Sequence, residues 1–232
     1  MSAPKIKLYT NHGCPWAHRA HIALKELGLP YEEEIIDLTV PRTEEYLRIN
    51  PRGLVPTISY DGTIITESAI VSQFLADAHP SHLVPTSDSK EGALNRARIN
   101  FFVDTYFSKI NALFFKIFQA NTVEEANELA GNFVDAIAKE IEPLLVDAAP
   151  YFGGSDRPTL AEVMTGSFII RLLSLASHDL VPKNIIDSLS DKAPNFHAWA
   201  KAVVDTPSVN YIYDEEATLA WAKKTIPRLQ SV

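Results

Sequence analysis

Cys14, the only cysteine in the chain, sits where a nucleophile would. It follows a strand-like run, Lys5-Ile6-Lys7-Leu8-Tyr9-Thr10, and a polar turn, Asn11-His12-Gly13, and it opens the string Cys14-Pro15-Trp16-Ala17-His18-Arg19. Proline suits the first position of a helix, where its missing N–H would have had no partner. The sulfur therefore falls at a helix N-terminus, beside free N–H groups and the positive end of the helix dipole, a setting that favours a thiolate. The thiolate is the form that attacks. The competing reading is a small buried hydrophobe, the usual fate of a free cysteine, and the strand-turn-proline context argues against it. No second cysteine stands at Ala17, where a dithiol site would carry its resolving partner, so a disulfide formed at Cys14 needs an external thiol to resolve it.

Three further pieces suggest what that thiol meets. Val55-Pro56 opens a strand after a turn; a cis bond there would present the backbone of Val55 outward for pairing with an extended peptide, while a trans bond is the commoner alternative. Glu67-Ser68 lies between a strand and a helix N-terminus, so Ser68 can hold a carboxylate and Glu67 an ammonium; the alternative is a plain N-cap. Arg42, in the segment before the second helix, is a cation for a second carboxylate, or a solvated surface charge. A thiol, a backbone clamp, an amino-acid head site and a distant cation together match glutathione, a γ-glutamyl tripeptide with its own thiol and a terminal carboxylate. His12, His18 and His21 flank the cysteine, and His12 could assist its ionisation. Their spacing matches no metal-ligand pattern, so no metal is expected.

The elements that must position these residues alternate up to about residue 80. A strand over 6–10, a helix over 15–27, a strand over 31–38 and a short helix over 43–49 come first. A hairpin of 57–60 and 63–66 follows, around Asp61-Gly62, and then a helix to about 78 begun by Ser68. The order β-α-β-α-β-β-α implies a mixed sheet. A polar stretch over 81–91 with Pro85 reads as a linker, and 92–232 reads as all-helical, with helices over 93–119, 123–146, 160–175, 194–204 and 215–224. Thr159-Leu160-Ala161-Glu162 fits a capping box.

The chain has 232 residues, 46% hydrophobic and 22% charged, with a net charge of −8. This composition is ordinary for a globular protein, and the negative charge argues against a nucleic-acid partner. A single cysteine suits a reducing compartment. The N-terminal residues lack the layout of a signal peptide, and no apolar run reaches the roughly 20 residues that span a bilayer; both point to the cytoplasm.

On Cys14-Pro15-Trp16-Ala17, on Asn50 through Pro56, on Glu67-Ser68 and on Tyr151-Phe152-Gly153-Gly154 leading into Thr159-Leu160-Ala161, the chain resembles the cytosolic glutathione transferases over nearly its whole length. Within them it is similar to the cysteine-type, omega-like members. The resemblance implies a thioredoxin-like domain over 1–80 and a helical-bundle domain over 92–232. It also implies a Cys14–glutathione mixed disulfide, with Val55 and Pro56 on the tripeptide backbone, Glu67 and Ser68 on the γ-glutamyl group, Arg42 near the glycine carboxylate, and Trp16 as a wall of the site or a core anchor. The activities implied are thiol transfer, reductive deglutathionylation or dehydroascorbate-type reduction, as in detoxification. The acceptor, small and hydrophobic or oxidised, is expected between the domains near Phe107, Phe114, Arg171 and Trp221, with core packing the alternative for the phenylalanines. A homodimer is implied by resemblance alone. The rival readings are a non-catalytic binding protein on the same fold, and a glutathione-dependent conjugating enzyme or isomerase.

Overall fold

A computed structural model describes residues 4–227. The chain opens as β1 (Ile6–Thr10), α1 (Pro15–Glu26) and β2 (Glu32–Ile35). β2 pairs with β1 in parallel, from Lys7 opposite Glu32 to Thr10 opposite Ile35. This strand is shorter than the expected 31–38, because the Asp37 carboxylate accepts hydrogen bonds from the N–H and hydroxyl of Thr39 and turns the chain away. After α2 (Glu44–Ile49) come β3 (Thr57–Tyr60), β4 (Thr63–Thr66) and α3 (Ser68–Ala78). The sheet order is β2-β1-β3-β4, with β3 antiparallel to both of its neighbours. The hairpin turns on Asp61 and Gly62, both at positive φ (49° and 86°), the backbone that Asp-Gly accommodates best.

The rest is helical: α4 (Lys90–Thr105), α5 (Asn111–Gln119), α6 (Val123–Glu140), α7 (Leu160–Ser177), α8 (Asn184–Lys192), α9 (Pro194–Val204), α10 (Pro207–Asn210) and α11 (Glu215–Thr225). The expected single helix over 93–119 is two, joined by a π-helical turn at Tyr106–Ile110. The expected helix over 123–146 stops at Glu140, and Pro143 then sits in a separate short turn, Glu142–Leu144. α8 and α10 were not expected. The 81–91 stretch is packed down: Leu83 and Val84 are buried, and the Leu83 carbonyl accepts a hydrogen bond from the Leu160 N–H at 2.7 Å.

One apolar core runs from the sheet (Leu8, Ile58) into the helices (Leu75, Phe102, Phe133, Trp199). α1 is buried from Ala17 to Leu24, since α3 and α7 pack on its remaining sides. α7 is long and apolar enough to cross a membrane by length and composition, although its sequence reads as no spanning run; most of it is buried inside the protein. Its start is fixed by the expected capping box. Glu162, fully buried, accepts hydrogen bonds from the N–H and hydroxyl of Thr159, from the Phe152 N–H and from the Trp199 indole.

Candidate functional site

Cys14 is the N-cap of α1, with extended backbone (φ −83°, ψ 117°) and Pro15 at the first helical position. Its N–H donates to the Asn11 carbonyl, closing the turn that aims the side chain. The thiol is half-buried against a small apolar cluster of Tyr9, Ala17, Ile36, Tyr46 and Val55, separate from the main core. Tyr9 and Thr10 are strand residues, as read from sequence.

Cys14 faces a cleft of about 490 Å³ that is also lined by Trp16, Arg42, Val55, Pro56, Glu67 and Ser68. All the residues expected to bind glutathione thus share one cavity. The Val55–Pro56 bond, open as cis or trans from sequence, is cis. The loop before it is held by Tyr46 and Asn50, whose side chains donate to the Leu54 carbonyl at 2.5 and 2.9 Å. Glu67 has φ of 70°, unusual for a residue with a side chain. It ion-pairs with Arg52, a partner the sequence did not suggest. Ser68 is the first residue of α3, buried at the cleft floor.

Arg42 is less free than a surface cation. Its Nε donates to the Gly53 carbonyl at 3.0 Å, and its Nη1 donates to the carbonyls of Asp37 (2.7 Å) and Val40 (2.6 Å). Nη2 is left for a ligand among the described residues. Gly53 has φ of +64°, and a Cβ there would lie 3.0 Å from the Arg42 Cγ, so glycine is what lets the arginine pack over the loop.

Trp16 serves both roles considered for it: 38% exposed, it lines the cleft and also packs edge-on against Phe168. Beside it lies a residue that sequence reading missed. Arg19 also lines the cleft although only 3% exposed, because the helix carrying it is covered on every side.

The expected acceptor residues separate. Phe107 stands next to the cleft, its ring 5.5 Å from that of Trp16. Phe114 is in the core, packed on Phe118 and Phe133. Trp221 is 48% exposed and packs edge-on against Phe118, away from the cleft lining. Arg171 reaches from α7 under the cysteine turn. Its Nη2 donates to the carbonyls of His12 and Gly13, both at 3.3 Å, and its guanidinium lies over the Tyr213 ring. Burial lowers its pKa, and Tyr213 and Cys14 oppose that shift. It therefore supports the turn and is not among the residues that line the cleft.

The histidines also differ from expectation. His12 pairs with Glu33 at 3.1 Å, half-exposed on the sheet edge. His21 is fully buried, with one ring nitrogen 2.8 Å from the Thr10 hydroxyl and the other 3.0 Å from that of Tyr31. Burial, then the nearby His12, pushes its pKa down to about 3. Burial, then Arg171, holds His18 well below its ordinary value. His12, His21 and Glu33 bring donor atoms within 4.8 Å of one another, but His21 already spends both nitrogens on hydroxyls. A second groove of about 580 Å³, between α7, α8 and α9, contains no cysteine.

Known proteins resemble this chain in sequence and in fold. Residues 13–78 match the family model described as glutathione S-transferase, N-terminal domain. The solved structure of glutathione transferase Omega 2C from Trametes versicolor superposes with a TM-score of 0.81 at 26% identity, over 95% of this chain and 98% of that one. The architecture is that of the glutathione transferases. Among curated proteins, glutathione S-transferase omega-1 of Sus scrofa is 25% identical over 215 residues, 92% of this chain and 83% of its own. A probable maleylacetoacetate isomerase of Caenorhabditis elegans is 27% identical over 206 residues, 87% of this chain and 94% of its own. The cleft is lined from the first half of the chain, and Phe107 and Phe168 of the helices that follow pack against its Trp16.

Proposed function

We propose that this chain is a cysteine-type, omega-like glutathione transferase acting through a Cys14–glutathione mixed disulfide. The observation that carries the reading is a half-buried thiol at a helix N-terminus, in the same cleft as an amino-acid head site (Glu67, Ser68), a cis Val55–Pro56 and a cation (Arg42). In reductive deglutathionylation, the Cys14 thiolate attacks the glutathionyl sulfur of the substrate disulfide. The S–S bond breaks, the substrate leaves as a thiolate that takes up a proton, and glutathione stays on Cys14. A second glutathione thiolate attacks that glutathionyl sulfur and releases oxidised glutathione and the Cys14 thiolate, the thiol–disulfide exchange that a lone cysteine requires. Dehydroascorbate-type reduction consumes the same two glutathiones. A cytoplasmic location belongs to this reading, and so does a homodimer, which large exposed apolar side chains on β4, α3 and α4 support: Ile64, Ile70, Leu94 and Phe101.

Turnover of hydroxyethyl disulfide with glutathione tests it. Replacing Cys14→Ser should lower the rate about a hundredfold or more, since serine is a far weaker nucleophile toward sulfur, and the wild type should gain one glutathione in mass under oxidising conditions. Undiminished turnover in the variant removes Cys14 from the chemistry. The likeness to an isomerase favours one alternative, glutathione-dependent isomerisation. Under it, Cys14→Ser would keep isomerase turnover and the wild type would lack disulfide turnover.

A further inference from the structure

Burying a guanidinium without a counter-ion is costly, and Arg19 lacks one. Among the described residues no carboxylate lies within ion-pair distance of it. Its Nε donates to the Met164 carbonyl at 2.8 Å, and its Nη1 donates to the Ser68 hydroxyl oxygen at 3.0 Å. The remaining contacts are aromatic faces: its guanidinium carbon stands 4.2 Å from the Phe107 ring centroid, 4.6 Å from that of Trp16 and 5.4 Å from that of Phe168. Cation–π contacts offset part of the desolvation but supply no anion. Burial, partly opposed by Tyr106, brings its pKa down to about 9, leaving it charged at neutral pH. Nη2 has no acceptor among the described residues, and the side chain lines the cleft that holds Ser68 and Cys14. Because Ser68 accepts from Arg19, its own hydroxyl proton is free to be donated to a ligand. The arrangement is a charged, pre-oriented fork with its anion missing.

We propose that Arg19 reads the α-carboxylate at the amino-acid head of the ligand, setting the cleft's preference for a charged head group and orienting Ser68 toward it. This rests on the glutathione reading above, and it adds a residue from the cysteine helix to a head site otherwise built on α3. A bidentate fork suits a carboxylate better than a carboxamide. The head group is thereby fixed relative to Cys14 by one rigid helix, since the thiol and the guanidinium both belong to α1.

Calorimetric binding of S-methylglutathione, which cannot form a disulfide, separates this from the thiol chemistry. A second probe is the same compound with the γ-glutamyl α-carboxylate converted to a carboxamide. Wild type should bind the carboxamide about 10–100-fold more weakly, the range of one or two charge-assisted hydrogen bonds. Arg19→Gln should bind S-methylglutathione more weakly by a similar factor and distinguish the two probes by less than about threefold, with Arg19→Lys between. A merely structural role would weaken both probes equally, so undiminished discrimination in Arg19→Gln overturns the proposal. Equal wild-type binding of the two probes overturns it as well. Failure of wild type to bind S-methylglutathione at all sinks the glutathione reading itself, and Arg19's role with it. If Arg19→Gln does not fold, Arg19→Lys carries the same comparison.

Discussion

Arg42 shows how a residue right in place can differ in action. Sequence offered a free cation; the structure spends three of its N–H bonds on the carbonyls of Gly53, Asp37 and Val40. The arginine ties the loop after β2 to the loop before β3 and offers the remaining nitrogen outward. Lysine keeps the charge but cannot bridge three carbonyls. Arg42→Lys should therefore raise KM for glutathione about tenfold, the loss of one net charged hydrogen bond, with kcat within about twofold. Steady-state kinetics at saturating disulfide check it; an unchanged KM would mean that the loop holds itself. Cys14, Val55, Pro56, Glu67 and Ser68 were legible because each stands at a grammatical boundary, a helix start or a strand start, where side-chain type and backbone position are read together. Arg19 was not legible. The sequence marks Arg19 only as part of the string after Cys14, whereas the structure buries it together with its helix neighbours His18 and His21. The missing information was tertiary: how many sides of the helix are covered.

At the scale of elements, the same limit explains what was missed elsewhere. The hairpin around Asp61-Gly62 and the start of α7 carry local signals, a turn dipeptide and a capping box, and both form where expected. The π-helical turn at Tyr106–Ile110 has no compositional signal, yet it carries Phe107, which stands beside both Trp16 and Arg19. The acceptor residues were expected from the tendency of ligand sites to form between domains, and none of the four lines the cleft that holds Cys14. Glu162 shows an element start doing more than its local motif requires. The capping box uses one end of the carboxylate, and the Phe152 N–H and Trp199 indole take the other, so α7, α9 and the 152–154 turn meet on one side chain. Glu162→Gln would leave one acceptor oxygen for donors that now share two, and would turn an amide donor toward N–H groups. A loss of about 2–4 kcal/mol is expected from unsatisfied buried donors, read as a lower urea midpoint with an unchanged slope. A midpoint within experimental error of wild type would show that the cap is dispensable.

Over the whole molecule, the contact between the sheet and the helical half is polar as well as apolar, and its polar part contains two buried neutral histidines. His21, on α1, reaches the hydroxyls of Thr10 in β1 and Tyr31 ahead of β2, while the Tyr211 hydroxyl, from just beyond α10, donates to the His21 carbonyl at 3.0 Å. His18 lies 3.2 Å from the Arg171 guanidinium of α7. Burial holds both below their ordinary pKa, His21 at about 3, with His12 adding to the shift of His21 and Arg171 to that of His18. A histidine whose folded pKa is depressed costs nothing above its unfolded value of about 6.5, where both states are neutral. Below it the unfolded chain binds a proton that the folded one refuses, so stability falls as pH falls. At pH 5 this amounts to about 2 kcal/mol for His21, from 1.4 kcal/mol per unit of pH difference, and His18 acts in the same direction. Urea midpoints should therefore hold between pH 8 and 7 and drop between pH 6.5 and 5. Because one core joins the two halves, the transition should stay single. His21→Gln, which keeps hydrogen bonds to the surrounding hydroxyls without a titrating ring, should lose stability at pH 7 and show a shallower fall toward pH 5. An equally steep fall in that variant would assign the acid sensitivity to other groups and leave His21 as a spacer between the sheet and the helices.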